Sequence, residues 1–91
     1  MTQHCSRHYI VRGRVQGVFY RGASKNEAVR LGINGWVRNL PDGSVEAYAI
    51  GECHAVAEFE RWLAQGPTNA NVAMVDAHDA DVERFSEFTV R

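Results

Sequence analysis

The sequence predicts an α+β fold in two layers, with two helices packed on one face of a mainly antiparallel sheet. Three observations carry this expectation. Stretches that alternate apolar and polar residues, the mark of half-buried strands, flank two stretches with apolar residues at helical spacing. Gly17, Gly32, Pro41, Gly43 and Gly66-Pro67 fall between these stretches, as breaks between elements should. The chain has 91 residues, 45% hydrophobic and 23% charged, which suits one small domain with a buried core and excludes compositional disorder.

The elements follow in order. Residues 8–16 alternate, with Tyr9, Val11, Gly13 and Val15 on one side and Ile10, Arg12, Arg14 and Gln16 on the other. This is a first strand, broken by Gly17. From about Gly22 the spacing turns helical, with Ser24, Ala28 and Leu31 on one stripe and Gly32 at the position of a left-handed cap. Residues 34–39 form a second strand, and Leu40-Pro41-Asp42-Gly43 is a turn. Residues 44–51 form a third strand, with Val45, Ala47 and Ala49 facing one way and Glu46, Tyr48 and Ile50 the other. Residues 54–65 form an amphipathic helix on Val56, Phe59 and Leu63, flanked by Ala55 and Trp62 and ended by Gly66-Pro67. Residues 71–78 are a fourth strand. After an acidic turn, residues 86–91 are a short fifth, with Phe88 and Val90 on its buried face.

The order β-α-β-β-α-β plus a short strand is that of a ferredoxin-like sandwich. The first two strands run parallel, joined by a right-handed crossover, with the third antiparallel between them. Their C-terminal ends therefore lie together, and the segment after Gln16 comes near Asn39 and the turn 40–43. A single domain over residues 1–91 is expected, with residues 1–6 as a loosely ordered N-terminal segment.

Ten Lys and Arg against eleven Asp and Glu give a formal net charge of -1, and this balance speaks against a general nucleic-acid binder. No apolar run approaches the roughly 18 residues of a membrane span. The polar stretch Met1 to Arg7 is unlike a secretory signal, so a cytoplasmic setting is expected. The two cysteines, Cys5 and Cys53, are then expected as reduced thiols. The topology nevertheless brings them to the same end of the sheet, away from residues 16–21, where oxidation can join them. His4 and His8 sit at a spacing that suits a helix, but they fall in an extended segment. No metal site is expected from them.

Gln16-Gly17-Val18-Phe19-Tyr20-Arg21 joins the first strand to the first helix. A short loop with an early glycine, entering a helix, can aim successive backbone N–H groups into one hollow that binds an anion. Arg21 there can pair with two phosphate oxygens in a fixed plane. A plain strand-to-helix turn with a surface arginine is the competing reading of the same residues.

The stretch Val11-Arg12-Gly13-Arg14-Val15-Gln16-Gly17-Val18-Phe19-Tyr20-Arg21 resembles the first signature of the acylphosphatases. Gly35-Trp36-Val37-Arg38-Asn39, followed by Asp42-Gly43-Ser44-Val45 and Gly51, resembles the second, at the right separation. Gly66-Pro67 and Phe85-Ser86-Glu87-Phe88 look like the rest of the small bacterial type. The resemblance covers nearly the whole chain after its first residues. It departs at Tyr20, where the family usually has Phe or Met; the added hydroxyl bears on packing or hydrogen bonding.

The resemblance implies an enzyme that hydrolyses the carboxyl–phosphate bond of acyl phosphates, releasing a carboxylate and inorganic phosphate. It makes Arg21 the phosphate clamp and Asn39 the residue that orients water. Gln16, Gly17, Val18, Phe19, Tyr20 and Arg21 then form the phosphate-binding loop. No metal and no other cofactor is implied, nor a nucleic-acid or membrane partner, and a monomer suffices. Trp36 is expected to pack beside the site, Asp42 to be a turn residue, and Arg12, Arg14 and Arg38 to be exposed. The alternative is a non-catalytic anion-binding or RNA-binding module on the same fold. An RNA-recognition sheet needs several aromatics on its central strands, and residues 44–50 offer one, beside an acid.

Overall fold

The computed structural model describes residues 3–91. Along them run β1 (His4–Arg14), α1 (Tyr20–Leu31), β2 (Asn34–Asn39), β3 (Val45–Glu52), α2 (Cys53–Gln65), β4 (Asn71–Asp79) and β5 (Phe88–Val90). The five strands form one sheet in the order β4-β1-β3-β2-β5. β3 pairs antiparallel with β1 and β2, β4 pairs antiparallel with β1, and β5 runs parallel to β2. The ferredoxin-like sandwich expected from the sequence is the observed fold. No helix among the described residues is long and apolar enough to cross a membrane.

Both helices cover one face of the sheet. Tyr9, Val11, Val37, Val45, Ala47 and Ala49 point into that layer and meet Tyr20 and Ala28 of α1 and Val56, Phe59 and Leu63 of α2. Phe59 stacks edge-on against Tyr9 and Phe88, so one ring ties α2 to β1 and β5. At Gly35 the sheet tolerates only glycine. Its φ is 141°, and a Cβ there would stand 1.9 Å from the Tyr48 carbonyl oxygen.

Several expectations need correction. β1 begins at His4, not at residue 8, because Cys5 and Ser6 pair with Gly51 and Ile50 of β3, and it ends at Arg14. Residues 4–6 are thus part of the sheet; residues 1–2 of the segment expected to be loose lie outside the described residues. Cys5 and Cys53 are joined by a disulfide, their Cα atoms 4.8 Å apart, where reduced thiols were expected. The sheet end that the topology assigned to them is where they meet.

Tyr48 lies on the face opposite Val45, Ala47 and Ala49, as its alternation predicts, yet it is only 2% exposed. The segment after β4, expected as a simple acidic turn, crosses the open face of the sheet as a strap. The Tyr48 hydroxyl donates to the Asp81 carbonyl at 2.7 Å and accepts from the Glu83 amide at 2.9 Å. Phe85 lies on the same ring, and Asn34 Nδ2 donates to the Phe85 carbonyl. Trp36 also belongs to this face, stacked on Tyr48, so it packs behind the sheet and not beside the site. In β5, Phe88 is buried as expected but Val90 is 41% exposed.

Candidate active site

The parallel run of β1 and β2 brings Gly17 and Asn39 to the same end of the sheet, and α1 starts there. Alternation along β2 puts Val37 in the helix-facing core, so Asn39 projects from the same face at the strand's last position. A hollow of about 300 Å³ opens between the loop and this strand end, lined by Gly17, Phe19, Tyr20, Arg21, Gly22 and Asn39, with Val15 and Val90 at its sides.

The start of α1 is unusual in a way that suits an anion. Helices commonly begin with a Ser, Thr, Asp or Asn whose side chain satisfies the first free amides. Here the N-cap is Phe19, with no side-chain cap, and no acidic residue lies in the first turn. The hydrogen bonds among the described residues use none of the main-chain amides from Gly17 to Gly22 as donors. These amides lie at the positive end of the helix dipole, next to the hollow, an arrangement that suits negative charge.

The loop reaches this shape through residues in the left-handed region. Gly17 has φ 74°, with open space where a Cβ would stand. Phe19 has φ 64° and is the one positive-φ residue other than glycine among the described residues. Such backbone is costly for a bulky residue and persists where its surroundings enforce it, often at working sites. Its ring, 69% exposed, lies over Gly22, where a Cβ would come within 2.3 Å of it.

Arg21 stands in the first turn of α1, half-buried. Its Nη1 donates to the Arg91 main-chain oxygen at 2.7 Å, and the Arg91 amide donates to Val37. The guanidinium is thereby held over the end of β2 beside Asn39, with further donors left for a ligand.

Tyr20 follows the loop but turns inward. Only 1% exposed, it donates its hydroxyl to the Leu63 carbonyl at 2.8 Å and packs against Trp62. Burial pushes its phenol well above the ordinary range. The Tyr20 hydroxyl thus fastens the start of α1 to the end of α2.

The structure therefore gathers Gly17, Phe19, Tyr20, Arg21 and Asn39 around one hollow. It does not bring the side chains of Gln16 and Val18 there. Val18 packs against the core. Gln16 turns toward the β2–β3 turn, its Nε2 donating to the carbonyls of Leu40 and Ser44, both at 2.8 Å. Asp42 is a turn residue: its Oδ1 accepts from the Ser44 amide at 3.0 Å and from the Ser44 hydroxyl. Arg12 and Arg38 are exposed but occupied, Arg12 with Asp42 and Asp76, Arg38 with Glu46. The helix starts at Tyr20, two residues before the expected Gly22, so the missing cap at Phe19 was not read, although the absence of Ser, Thr, Asp or Asn before Tyr20 was a signal for it. The Gln16 contact had no signal in the sequence.

A larger hollow of about 690 Å³ lies at the other end of the molecule, among residues that include His4, Gly32, Glu52, Glu83 and Arg84. Gly32 there is the C-cap of α1, so the helix presents its negative end, and two carboxylates line the wall. An anion is poorly served by that arrangement. Among the described residues no three His, Cys, Asp or Glu side chains converge as metal ligands.

A ferredoxin-like sandwich whose uncapped helix start, Arg21 and Asn39 meet at one hollow has the features that suit a small anion. Comparison with known proteins narrows that reading. The family model described as Acylphosphatase matches residues 7–90. An acylphosphatase of Nitrosococcus oceani is 46% identical over 82 residues, covering 90% of this chain and 92% of the relative. The solved acylphosphatase of Coxiella burnetii superposes with a TM-score of 0.94 at 40% identity, covering all of both chains. That of Bacillus subtilis gives 0.92 at 30% identity, covering 98% and 99%. The chain belongs to the acylphosphatase family, and its function is that of this family of hydrolases.

Proposed function

We propose that the hollow at residues 16–21 holds the phosphoryl group of an acyl phosphate while Asn39 holds the water that attacks it. The observation that carries this reading is the uncapped start of α1, whose unused amides share one hollow with Arg21 and Asn39. An acyl phosphate is a mixed anhydride with a good leaving group, so the catalytic task is electrostatic and positional. The main-chain amides and Arg21 neutralise the phosphoryl oxygens. The Asn39 side-chain carbonyl accepts from water and aims its oxygen at phosphorus, opposite the bond to the acyl group. A new P–O bond forms, and the old one breaks with its electron pair on the departing carboxylate. The water proton passes to a phosphoryl oxygen or to solvent. The fixed positive field needs no metal ion to complete it.

Partners and setting follow from the same geometry. Every group named comes from one chain, which supports action as a monomer on a small molecule. The sheet face that an RNA-recognition domain would use is closed by the strap, with Tyr48 and Trp36 buried, which favours an enzyme over a nucleic-acid module. A cytoplasmic setting fits small soluble substrates. The Cys5–Cys53 bond belongs more naturally to an oxidising compartment, and a thiol count on protein taken from cells decides the setting.

The test is phosphate release from acetyl phosphate compared with a phosphate monoester, with chelator and without added metal. Release from acetyl phosphate alone, unaffected by chelator, is expected. Activity that vanishes in chelator and returns with one divalent ion overturns the metal-free reading.

A further inference from the structure

We infer that Gln16 is a positioning residue, which sets the place of Asn39 relative to the bound phosphate by clamping the β2–β3 turn to the loop. Its side chain does not enter the anion hollow. Instead the two hydrogens of its amide go to two carbonyls, Leu40 and Ser44, each at 2.8 Å. The assignment of nitrogen is fixed by chemistry, because the reversed amide would set its oxygen against two carbonyl oxygens.

Leu40 and Ser44 are the two feet of the turn. The Leu40 amide donates to Ser44 and the Gly43 amide donates to Leu40. Leu40 directly follows Asn39, and Asn39 pairs across the hairpin with Val45. Gln16 thus grips the hairpin immediately beyond Asn39, on both of its strands at once.

Little else joins these two parts of the site. β1 pairs with β3 only as far as Val11 opposite Val45, and past that point β1 is bonded to β4 alone. The ladder that would set the height of the loop against the turn therefore stops before either begins. The other side-chain link from the end of β1 to the turn is the exposed pair of Arg12 and Asp42 at 3.4 Å. Through Arg91, Arg21 is tied to the opposite edge of β2. The Gln16 amide is what spans the gap between the cradle and the water-bearing strand end.

A displacement of about 1 Å in a reacting group costs on the order of 10²-fold in rate. Removing Gln16's two donors is therefore expected to act chiefly on turnover. The inference rests on the assignment of the attacking water to Asn39, and the experiment separates the two. Gln16→Met keeps length and removes both donors. Its kcat for acetyl phosphate should fall about 10- to 100-fold, with competitive inhibition by inorganic phosphate changed far less. On an Asn39→Ala background the same substitution should cost little further, since the group it positions is gone.

Gln16→Glu supplies a second variant. As a carboxylate it repels both carbonyls; protonated, it donates to one of them. Its kcat should partly recover as pH falls through the carboxylate range, a rise absent from the wild type. If Gln16→Met lowers kcat by the full factor again on the Asn39→Ala background, or weakens phosphate inhibition as much as kcat, Gln16 does not act through Asn39. A Gln16→Glu profile parallel to wild type also overturns the clamp. If Asn39→Ala alone leaves kcat at the wild-type value, the water assignment falls first and this inference falls with it.

Discussion

The two ends of the sheet are built on opposite terms. At the end that carries Cys5, the start of β1 is bonded covalently to the start of α2. The Cys53 amide donates to the Gln3 carbonyl and the Ala80 amide to that of Ser6. Arg7 bridges Glu60 at 3.1 Å and Asp79 at 2.7 Å. At the end that carries Arg21, φ is positive at Gly17, Phe19 and Gly43, a helix starts without a cap, and successive amides go unused. The covalent fastener sits at the end away from the hollow, whereas the open donors and the one positive-φ residue other than glycine among the described residues sit beside the hollow proposed for the ligand. Leaving such donors open costs stability and is retained where a bound anion completes them. The stitched end can then offset what the open end gives up.

The sharpest break of this comparison is Arg21→Ala. Arg21 sits at the open end and its polar contact is with Arg91's main-chain oxygen, so its loss should leave the fold standing. An arginine that meets phosphoryl charge in the transition state is worth on the order of 10³-fold in rate. Phosphate release should fall by about that factor, with a thermal midpoint near wild type, and Arg21→Lys should recover only part, for want of the planar fork. Near-normal turnover would show that the open end works without its cation.

The stitched end answers with the reverse pattern. The disulfide closes a loop with a sequence separation of 48, for which chain entropy gives about 4 kcal/mol before strain. Reduction, or Cys53→Ser, should lower the midpoint of unfolding substantially and leave phosphate release per folded molecule unchanged. A drop in rate while the protein is still folded would mean that the two ends are coupled.

Two buried tyrosines sharpen the contrast further. Tyr20, at the site end, gives its hydroxyl to Leu63, whereas the buried Tyr9 hydroxyl makes no hydrogen bond of normal geometry among the described residues, although Arg7 and Glu60 lie near it. Tyr20→Phe strands a carbonyl and should cost about 1 kcal/mol. Tyr9→Phe removes an unpaired polar atom and should be neutral or stabilising by a similar amount. Equal losses from both in urea titrations would contradict this assignment of partners.

The legibility of the chain divides along similar physical lines. β2 lies where its residues predicted it, at Asn34–Asn39, because alternation and the flanking Gly32 and Pro41 are local signals. That Arg21 and Asn39 share one end of the sheet was legible, because the parallel run of β1 and β2 puts the start of α1 beside the end of β2. Tyr48 was not, because what buries it is a polar strap some 35 residues away, and periodicity sees only neighbours in the chain. β1 was cut short for the same reason: His4 to Arg7 look like a frayed end until the β3 ladder is present to extend them. The loop read as starting the helix near Gly22 gave no sign that Phe19 adopts a conformation which glycine or asparagine would take more readily. Gln16 was assigned to the phosphate through its place in the motif, and only side-chain geometry shows its amide turned to the hairpin.

The smallest effect is expected at Asp42, in the turn that Gln16 grips. Its carboxylate accepts two hydrogen bonds from Ser44, from the hydroxyl first and then the main-chain amide, with Arg12 nearby. These contacts hold its pKa below the usual value. A carboxylate so held is a poor general base. A depressed folded-state pKa favours the fold at pH values above the ordinary carboxylate range, and the advantage is lost as pH falls through the lowered value. The side chain is exposed, so the effect belongs to the turn and not to global stability. The Ser44 amide resonance should titrate with a midpoint below that of an unperturbed aspartate. Asp42→Asn, which keeps an acceptor for the Ser44 amide, should abolish that titration and leave phosphate release close to wild type. A collapse of turnover in Asp42→Asn would make Asp42 a participant in the reaction. The open end would then draw on a titrating carboxylate as well as on its fixed positive field.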